Sequence, residues 1–400
     1  MKNIRSIAEK ETLLHRAGEI ADRAGSFSWD EGGHLSFESR TRFQSEMLKL
    51  MREHRIIGAT VAIVTKDATE LFSLGKARLW PMVPVQPETC FRMASITKLI
   101  VTYGFLSMAE EGLLSLDDDI SDLLGYSVRH PDYPEKAVTA RMLLTHTSGI
   151  TDSGAYASLD SKHPLPLNEF LNQKNCWLSS APGETFHYSN LGAGITGILM
   201  EKTARLPLAE IMRQRVFDPL CIRATLDPRL VSPSSDLADG YRISCLPFLP
   251  PIRVYNAAQL TKSPPEPFDP DLDYYAGVGR LVADGRAAAA LLRILLSEED
   301  TPVLNQASLR EMRSLQDGRG GIQCAGRGLN VAFLTDVFPK RTLVGHQGAA
   351  YGMCAEFFGD PKTGEGAVVL SSGMNLHKRR GPFVAGGFDL LALAFASFRS

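Results

Sequence analysis

Cysteine is scarce in this sequence of 400 residues. None of its cysteines stands in a C-x-x-C pair, which is the spacing that zinc ribbons and many redox centres use. The six positions are Cys90, Cys176, Cys221, Cys245, Cys324 and Cys354. Such scattered residues fit reduced thiols in the core or on the surface better than a zinc site or a disulfide framework.

The sequence also lacks an excess of charge. Its 43 basic and 45 acidic residues give a formal net charge of -2. A protein that binds nucleic acid through the phosphates usually carries a clear basic excess, so we expect no nucleic-acid partner. The one dense basic run in the sequence is 377–380. We interpret it as a solvated turn, and the alternative is that it attracts a substrate carboxylate from the rim of a site.

Long apolar segments are missing too. The sequence contains no run of about 18 apolar residues and therefore predicts no membrane span. Residues 1–29 have the spacing of a charged helix, with neither an apolar h-region nor a small-residue cleavage site. We therefore expect no secretion signal, no membrane partner and a cytoplasmic protein.

Metal-binding and nucleotide-binding motifs are not found. There is no H-E-x-x-H and no EF-hand, and the glycine-rich stretches 318–321 and 326–328 match no phosphate-binding pattern. We expect a flexible hairpin loop there. The three acids at 117–119 open a predicted helix, which favours a cap and dipole complement over a metal cluster. The sequence thus indicates no metal and no cofactor.

Hydrophobic periodicity predicts an α+β protein. Residues 36–53 and 96–111 have helical spacing, and residues 59–64 and 70–75 form a predicted antiparallel hairpin. Helical patterns dominate from residue 113 to about 220. Further strands are predicted at 329–334, 342–345, 353–358 and 367–371, and a last helix at 388–398. Strands at both ends around a helical insert indicate one antiparallel sheet flanked by helices, with an all-α subdomain emerging from it.

The same pattern predicts the domain organisation. Residues 1–35 form an N-terminal helical extension, and residues 36–400 form the main domain. In that domain the α/β part covers about 36–112 and 277–400, and the helical subdomain covers about 113–276. The proline-rich stretch 246–270 has little periodicity, and we expect a long loop that serves as a lid or a substrate-facing wall.

Ser95 and Lys98 are the first candidates for catalysis. They stand three apart at the start of an apolar helix, so their side chains share one face and can touch. A serine becomes nucleophilic when a base takes its proton, and a lysine becomes a base when burial favours its neutral form. A short motif of this kind also occurs by chance. Cys90 is a rival nucleophile, but no partner base stands near it in sequence.

Two further patterns place polar groups that fit such a pair. In Tyr188-Ser189-Asn190 the phenol and the amide point the same way if the loop is extended, and the phenol is a candidate general base. His346 and Gly348 follow the predicted strand 342–345. The glycine would let a ligand lie close to the backbone, and the histidine would donate to a substrate or an intermediate. Each pattern alone is also typical of ordinary core, turn or strand-end residues.

Together, S-x-x-K, Y-x-N and H-x-G in this order resemble the serine β-lactamase and penicillin-binding-protein-like superfamily. The sequence is most similar to its class C β-lactamase branch and the related family VIII esterases. Framework segments at 111–117, 143–150, 182–183 and 216–220 also resemble that superfamily. The resemblance covers about residues 38–375, and it implies a β-lactamase/transpeptidase-like fold.

The resemblance implies a role for each site residue. Ser95 matches the nucleophile, Lys98 its proton partner, and Tyr188 the general base and leaving-group acid. Asn190 matches a residue that positions the substrate, and His346 and Gly348 fall where the superfamily has K-T-G. The backbone N–H groups of Ser95 and Ala349 match the oxyanion hole. The histidines at 146 and 187 are interpreted as structural.

Departures from the superfamily pattern shape the expected function. His346 replaces the lysine that meets a β-lactam carboxylate, which favours an esterase or peptidase over a β-lactamase. A Gly-Gly pair near 278 reads Gly277-Val278-Gly279, and the glycine expected after Leu220 is Cys221. We expect a serine hydrolase that acts on carboxylic esters or small amides. The alternatives are an acyltransferase or D-amino-acid peptidase and, from another class, a catalytically silent scaffold or β-lactam sensor.

Overall fold

An antiparallel sheet of seven strands forms the centre of the part of the chain that is described. The computed structural model describes residues 7–152, 165–244, 246, 248–262, 268–272, 274–316 and 328–398. The strand order is β3-β2-β1-β12-β11-β10-β9. The strands are β1 (Gly58–Val64), β2 (Thr69–Arg78), β3 (Val83–Pro84), β9 (Ala332–Thr335), β10 (Thr342–Ala350), β11 (Met353–Asp360) and β12 (Glu365–Ser372). Because β1 pairs with β12, distant parts of the chain meet in one sheet, as the sequence predicts.

Both faces of this sheet are buried. Successive side chains of a strand point to opposite sides, so each face contributes to a different apolar cluster. In β1, Val61 and Ile63 join one apolar cluster, whereas Ala62 and Val64 join another. The first cluster includes residues of α1 (Ile7–Ala24), α2 (Phe37–Glu53) and α13 (Ala385–Ala396). The second includes residues of α3 (Ile96–Glu110) and α11 (Gly285–Leu296). The fold is therefore α+β, with helices on both faces of the sheet.

One long helix, α7, and several short helices build the region between α3 and α11. They are α4 (Ile120–Leu124), α5 (Ala140–Leu144), α6 (Leu167–Leu171), α7 (Asn190–Ala204), α8 (Leu208–Met212), α9 (Ala257–Leu260) and α10 (Ala276–Gly279); α12 (Gln306–Arg313) follows α11. Asp119 is the N-cap of α4 and accepts a hydrogen bond from Ser121 N. The carboxylate of Asp117 pairs with Arg141 instead. Asp119 thus caps α4, as we interpreted the acids at 117–119, whereas Asp117 forms an ion pair.

Three small sheets lie outside the main sheet in the described part of the chain. They are built from β4 (Phe91–Arg92), β5 (Ala224–Thr225) and β8 (Val282–Ala283), from β6 (Gly240–Arg242) and β7 (Ile252–Tyr255), and from β13 (Arg379–Arg380) and β14 (Phe383–Val384). The pairing of β4 with β8 continues into the next residue, where Met93 N donates to the Leu281 carbonyl at 2.8 Å. This pairing fixes the turn that leads to Ser95.

Three sequence predictions differ from the structure or fall outside it. The expectation of a structureless loop over 246–270 is wrong where β7 and α9 form. β10 does not end at residue 345 but continues to Ala350. The glycine-rich stretches 318–321 and 326–327 lie outside the described residues, as do parts of the predicted pocket walls. The division into an extension, an α/β part and a helical subdomain stays a prediction.

Helix α1 packs on the main domain through an apolar stripe and one ionic cluster. Leu13, Ala17 and Ile20 are buried in the cluster that also contains α13. On the same helix, Arg16 donates to the fully buried carboxylate of Asp389 at 2.7 Å. The N-terminal helix therefore contributes to the core of the protein.

Candidate active site

Ser95 lies in the turn that begins α3. The residue before it, Ala94, has a φ of +47°, a left-handed conformation that costs a non-glycine residue about 1–2 kcal/mol. Thr97 holds this turn from inside, since its hydroxyl donates to the Ala94 carbonyl at 2.7 Å and accepts from Leu281 N at 3.0 Å. The turn leaves Ser95 half-buried, whereas Ala94 and Ile96 are buried. Backbone strain of this kind is typical of functional sites.

Lys98 lies one helical turn after Ser95 and is 1% exposed. Its Nζ donates to Ser95 Oγ at 3.2 Å and to the Val278 carbonyl at 2.8 Å. Burial removes the water that stabilises the charged amine and lowers the pKa of Lys98 to about 7, although the Asp152 carboxylate raises it. A lysine with this pKa can accept a proton near neutral pH.

Close backbone packing brings the Val278 carbonyl to Lys98. A Cβ on Gly194 of α7 would lie 2.2 Å from the Tyr274 carbonyl oxygen. A Cβ on Gly277 would lie 2.8 Å from a carbonyl oxygen of α7. Glycine at both positions therefore lets α7 contact the segment that contains α10. Valine at 278, where the family resemblance predicts a second glycine, is compatible with this packing. Gly277 makes the close contact, and Val278 binds Lys98 through its backbone carbonyl.

Tyr188 brings a phenol ring to the same pair. Lys98 Nζ lies 5.2 Å from the centroid of this ring. The ring centroids of His146 and His346 lie 4.5 Å and 6.4 Å from it. Ser189 N donates to His146 Nδ1 at 3.3 Å, so the imidazole contacts both the tyrosine ring and the next residue's backbone. These contacts fix the position of Tyr188 beside Lys98, which is the hydrogen-bond partner of Ser95.

Asp152 is the site residue that sequence reasoning missed. Its carboxylate accepts hydrogen bonds from Ser189 Oγ at 3.1 Å, Asn190 N at 3.0 Å, Asn190 Nδ2 at 2.7 Å and Leu191 N at 2.9 Å. A negative charge at the start of α7 also complements the helix dipole. Asp152 thereby orients the Asn190 amide. No local pattern marks it, because 38 positions separate Asp152 from Asn190.

The edge of β10 forms the opposite side of the site. β9 pairs with β10 only over residues 342–345, whereas β11 pairs with it as far as Ala350. A Cβ on Gly348 would lie 2.2 Å from the Met93 carbonyl oxygen and 3.0 Å from Ser95 N. The glycine therefore lets this edge lie against the turn that contains Ser95. The space beside Gly348 is thus occupied by the backbone of residues 93–95. Ala349 is the next residue of the strand.

His346 lies inside β10, where it is 2% exposed. Its Nδ1 is 2.6 Å from the Gln347 carbonyl oxygen. Because a carbonyl oxygen only accepts, Nδ1 carries the proton of this hydrogen bond. In the neutral ring, Nε2 is then the atom that accepts a hydrogen bond. His346 and Tyr188 thus face each other across the site.

Other candidate chemistry does not fit the described structure. Burial raises the pKa of the Cys90 thiol to about 12, which makes it a poor nucleophile. Among the described residues, Glu53, His54 and Asp389 lie close enough together to hold a metal ion. Arg16 and Arg380 already bind the Asp389 carboxylate, so these guanidinium groups stand where a metal would. No helix in the described ranges is long and apolar enough to cross a membrane.

The fold and the site together define a class. An antiparallel sheet, a helical region and a serine–lysine pair at the start of a helix are the features of the β-lactamase/transpeptidase-like proteins. The family model described as Beta-lactamase matches residues 43–383. This chain belongs to the beta-lactamase family.

Three comparisons show how far the likeness extends. The chain is 33% identical over 188 residues to Esterase EstB of Burkholderia gladioli, covering 43% of this chain and 47% of that protein. It is 28% identical over 192 residues to Penicillin-binding protein 4* of Bacillus subtilis, covering 46% of this chain and 41% of that protein. The chain thus spans less than half the length of these curated relatives. The structure of EstCE1 covers 98% of this chain and 100% of its own, with a TM-score of 0.66 and 22% identity, which shows the fold alone.

Proposed function

We propose that this protein is a serine hydrolase that cleaves carboxylic esters or small amides through an acyl-Ser95 intermediate. The observation that carries the proposal is the 3.2 Å contact between Lys98 Nζ and Ser95 Oγ. The lysine that makes this contact is buried and has a pKa of about 7, so it can exist as a neutral base. The likeness to a protein named as an esterase supports the reaction class.

Acylation begins with proton transfer from Ser95. Neutral Lys98 accepts the hydroxyl proton while Oγ attacks the carbonyl carbon of the substrate. A tetrahedral intermediate forms and places a negative charge on the former carbonyl oxygen. The N–H groups of Ser95 and Ala349 stabilise this charge, and each such donor contributes about 2.7–4 kcal/mol in comparable sites. Gly348 supports this assignment, because its lack of a side chain lets β10 reach the Ser95 backbone.

The leaving group departs with a proton from Tyr188. The position of Lys98 Nζ over the phenol ring, 5.2 Å from its centroid, supports this role, since the proton taken from Ser95 can pass to the tyrosine. Collapse of the intermediate breaks the ester or amide bond and leaves the acyl group on Oγ. Water then attacks the acyl group, and the same side chains work in reverse. Asn190, held by Asp152, orients the substrate.

The side of the site formed by His346 favours a substrate without a carboxylate beside the scissile bond. A lysine at this position would present a permanent cation, whereas His346 presents a ring whose Nδ1 is engaged by the Gln347 carbonyl. We therefore expect neutral esters or amides to be better substrates than β-lactams. A cytoplasmic location stays a prediction from the sequence.

Two variants test the proposal. Ser95→Ala removes the nucleophile and should abolish turnover of a short p-nitrophenyl ester. Tyr188→Phe should lower turnover of an alkyl ester, whose alkoxide leaving group must be protonated, by at least roughly 10²-fold, which is the low end of a general acid–base contribution. Stopped-flow absorbance at the p-nitrophenol band measures the first rate, and pH-stat titration of the released acid measures the second. Undiminished turnover in Ser95→Ala would overturn the proposal, and a wild-type rate in Tyr188→Phe would exclude Tyr188 as the leaving-group acid.

The alternative of acyl transfer needs a separate measurement. EstCE1 is described as a hydrolase with promiscuous acyltransferase activity, and its likeness to this chain supports the fold only. Adding a short alcohol or amine to the assay separates the two reactions, because a transferase converts the acyl group mainly to the new ester or amide. A silent scaffold is disfavoured because the pair Ser95 and Lys98 lies within hydrogen-bonding distance.

A further inference from the structure

An exposed apolar surface lies where β6 and β7 meet the turn between β2 and β3. Its members are Trp80, Met82, Phe248, Leu249, Ile252 and Val254, whose exposed fractions run from 39% at Val254 to 77% at Phe248. Contacts join the segments, since Arg253 Nη1 donates to the Trp80 carbonyl at 3.3 Å. The Trp80 ring packs edge-on against Tyr241 of β6 at 6.1 Å. Contiguous exposed apolar residues of this kind mark interaction sites.

The loop that carries Phe248 and Leu249 is tethered. The Arg55 guanidinium donates to the carbonyl oxygens of Ser244 at 3.1 Å, Leu246 at 3.2 Å and Leu249 at 3.1 Å. These bonds hold three backbone carbonyl groups of this segment, while the side chains of Phe248 and Leu249 remain exposed to water. The tether therefore presents the apolar surface in a fixed conformation, which lowers the entropy cost of docking.

The charges in the stretches that form and border this apolar surface are all of one sign. The described residues of the stretches 71–87, 240–262 and 366–388 include no Asp or Glu. A bridge between Arg242 and Met374 joins the second stretch to the third, which brings the exposed residues 377–379 to the same end. Two acids that flank these stretches, Asp239 and Asp389, are buried and paired with arginines. This end of the molecule is therefore both apolar and cationic.

We propose that the apolar surface docks on an anionic lipid bilayer. Tryptophan, phenylalanine and aliphatic side chains enter the headgroup region, and the cations Arg242, Lys378 and Arg379 face the lipid phosphates. Docking of this kind needs no helix that crosses the membrane. A second copy of the chain placed face to face on this surface would bring like charges together, which opposes dimerisation.

Vesicle sedimentation with the full-length protein tests the proposal. We expect the wild type to sediment with phosphatidylcholine vesicles that contain phosphatidylserine, and to remain in the supernatant with phosphatidylcholine alone or at high salt. Phe248→Ser should weaken binding at least about tenfold, because one inserted apolar side chain is lost. Arg242→Gln and Lys378→Gln should each weaken it about fivefold at low salt. None of these residues belongs to the catalytic site.

Phe37→Ser is the matched control, because Phe37 is 84% exposed at the far end of α2. A helix of this length places it about 25 Å from Arg55, and vesicle binding should not change. Absence of binding to anionic vesicles overturns the proposal, as does binding that salt does not weaken. If Phe248→Ser instead abolishes a dimer seen by light scattering while vesicles never bind, the surface serves a second copy and the proposal is wrong.

Discussion

The protonation of one residue, Lys98, affects the stability of the whole protein. In the unfolded chain this amine has its ordinary pKa of 10.5, whereas burial lowers the pKa to about 7 in the fold. Between these two pH values the unfolded state binds more protons than the native state, so stability rises with pH. The protein therefore loses stability near neutral pH by keeping this lysine buried. In the proposed mechanism, it gains in return a base beside Ser95.

Asp152 also affects the pKa of Lys98. Its negative charge raises the pKa of Lys98 against the effect of burial. Asp152→Asn removes the charge, so the pKa of Lys98 should fall below about 7 and neutral Lys98 should persist to lower pH. We predict that the acidic limb of the kcat/KM profile for a p-nitrophenyl ester moves to lower pH. An acidic limb that stays in place or moves upward would contradict this prediction.

Ser189→Ala is the matched control for that experiment. It removes one hydrogen bond to the Asp152 carboxylate but leaves the charge in place. The loss of the N-cap hydroxyl of α7 should cost about 1 kcal/mol of stability. Its acidic limb should coincide with that of the wild type. A shift in both variants would mean that the hydrogen-bond network, and not the charge, controls Lys98.

At the scale of elements, periodicity predicts what is local and misses what the tertiary structure decides. The hairpin of β1 and β2, helix α2 and helix α3 follow from apolar spacing, and their bounds agree with the structure within a few residues. β10 extends past residue 345 because it pairs with β11 as far as Ala350. Asp152 is missed for a similar reason, since its partners lie far along the chain. Ser95, Lys98 and Tyr188 are accessible to sequence reasoning because each stands in a short motif.

The turn after the π-helical segment Arg213–Phe217 offers a test at this scale. Cys221 has a φ of +51° where the family resemblance predicts glycine. The backbone thus keeps the left-handed conformation although the residue has a Cβ. Cys221→Gly should raise the free energy of unfolding by about 1 kcal/mol, because that strain disappears. Thermal unfolding should show a rise in Tm of about 1–2 °C.

Cys221→Ala separates strain from the loss of the thiol. Alanine retains the Cβ and therefore the left-handed strain, and the thiol of Cys221 is exposed. We expect a Tm equal to that of the wild type. If alanine and glycine stabilise the protein equally, the strain at this position does not limit its stability.

At the scale of the whole molecule, α1 and α13 are joined through Asp389. Burial alone would raise the pKa of this carboxyl, but hydrogen bonds from His54 and Arg16 and the nearby charge of Arg380 hold it below its usual range. The stabilisation is therefore present above the ordinary aspartate pKa and is lost as the pH falls through the lowered value. The sequence shows α1 as a helix, but only the tertiary structure shows this buried partner.

Asp389→Asn tests how much this cluster contributes. The substitution leaves Arg16 and Arg380 without their shared counter-ion, and loss of one partner of a buried ion pair costs about 3–5 kcal/mol. Chemical denaturation at neutral pH should show a loss of this size, and limited proteolysis should cut near α1. Asp336→Asn is the control. The Asp336 carboxylate is 62% exposed and pairs with Lys10, which lies in α1 like Arg16. That variant should change stability by less than about 0.5 kcal/mol, and equal losses in both would contradict the account.

In the proposed mechanism, Ser95 carries the acyl group of the substrate. The most direct measurement is peptide mapping by mass spectrometry after reaction with a fluorophosphonate, which phosphonylates an activated serine and mimics the first covalent step. We predict one adduct on the peptide that contains Ser95, loss of ester turnover in proportion to labelling, and no adduct in Ser95→Ala. Labelling of another residue, or full ester turnover by protein labelled at Ser95, would contradict the claim.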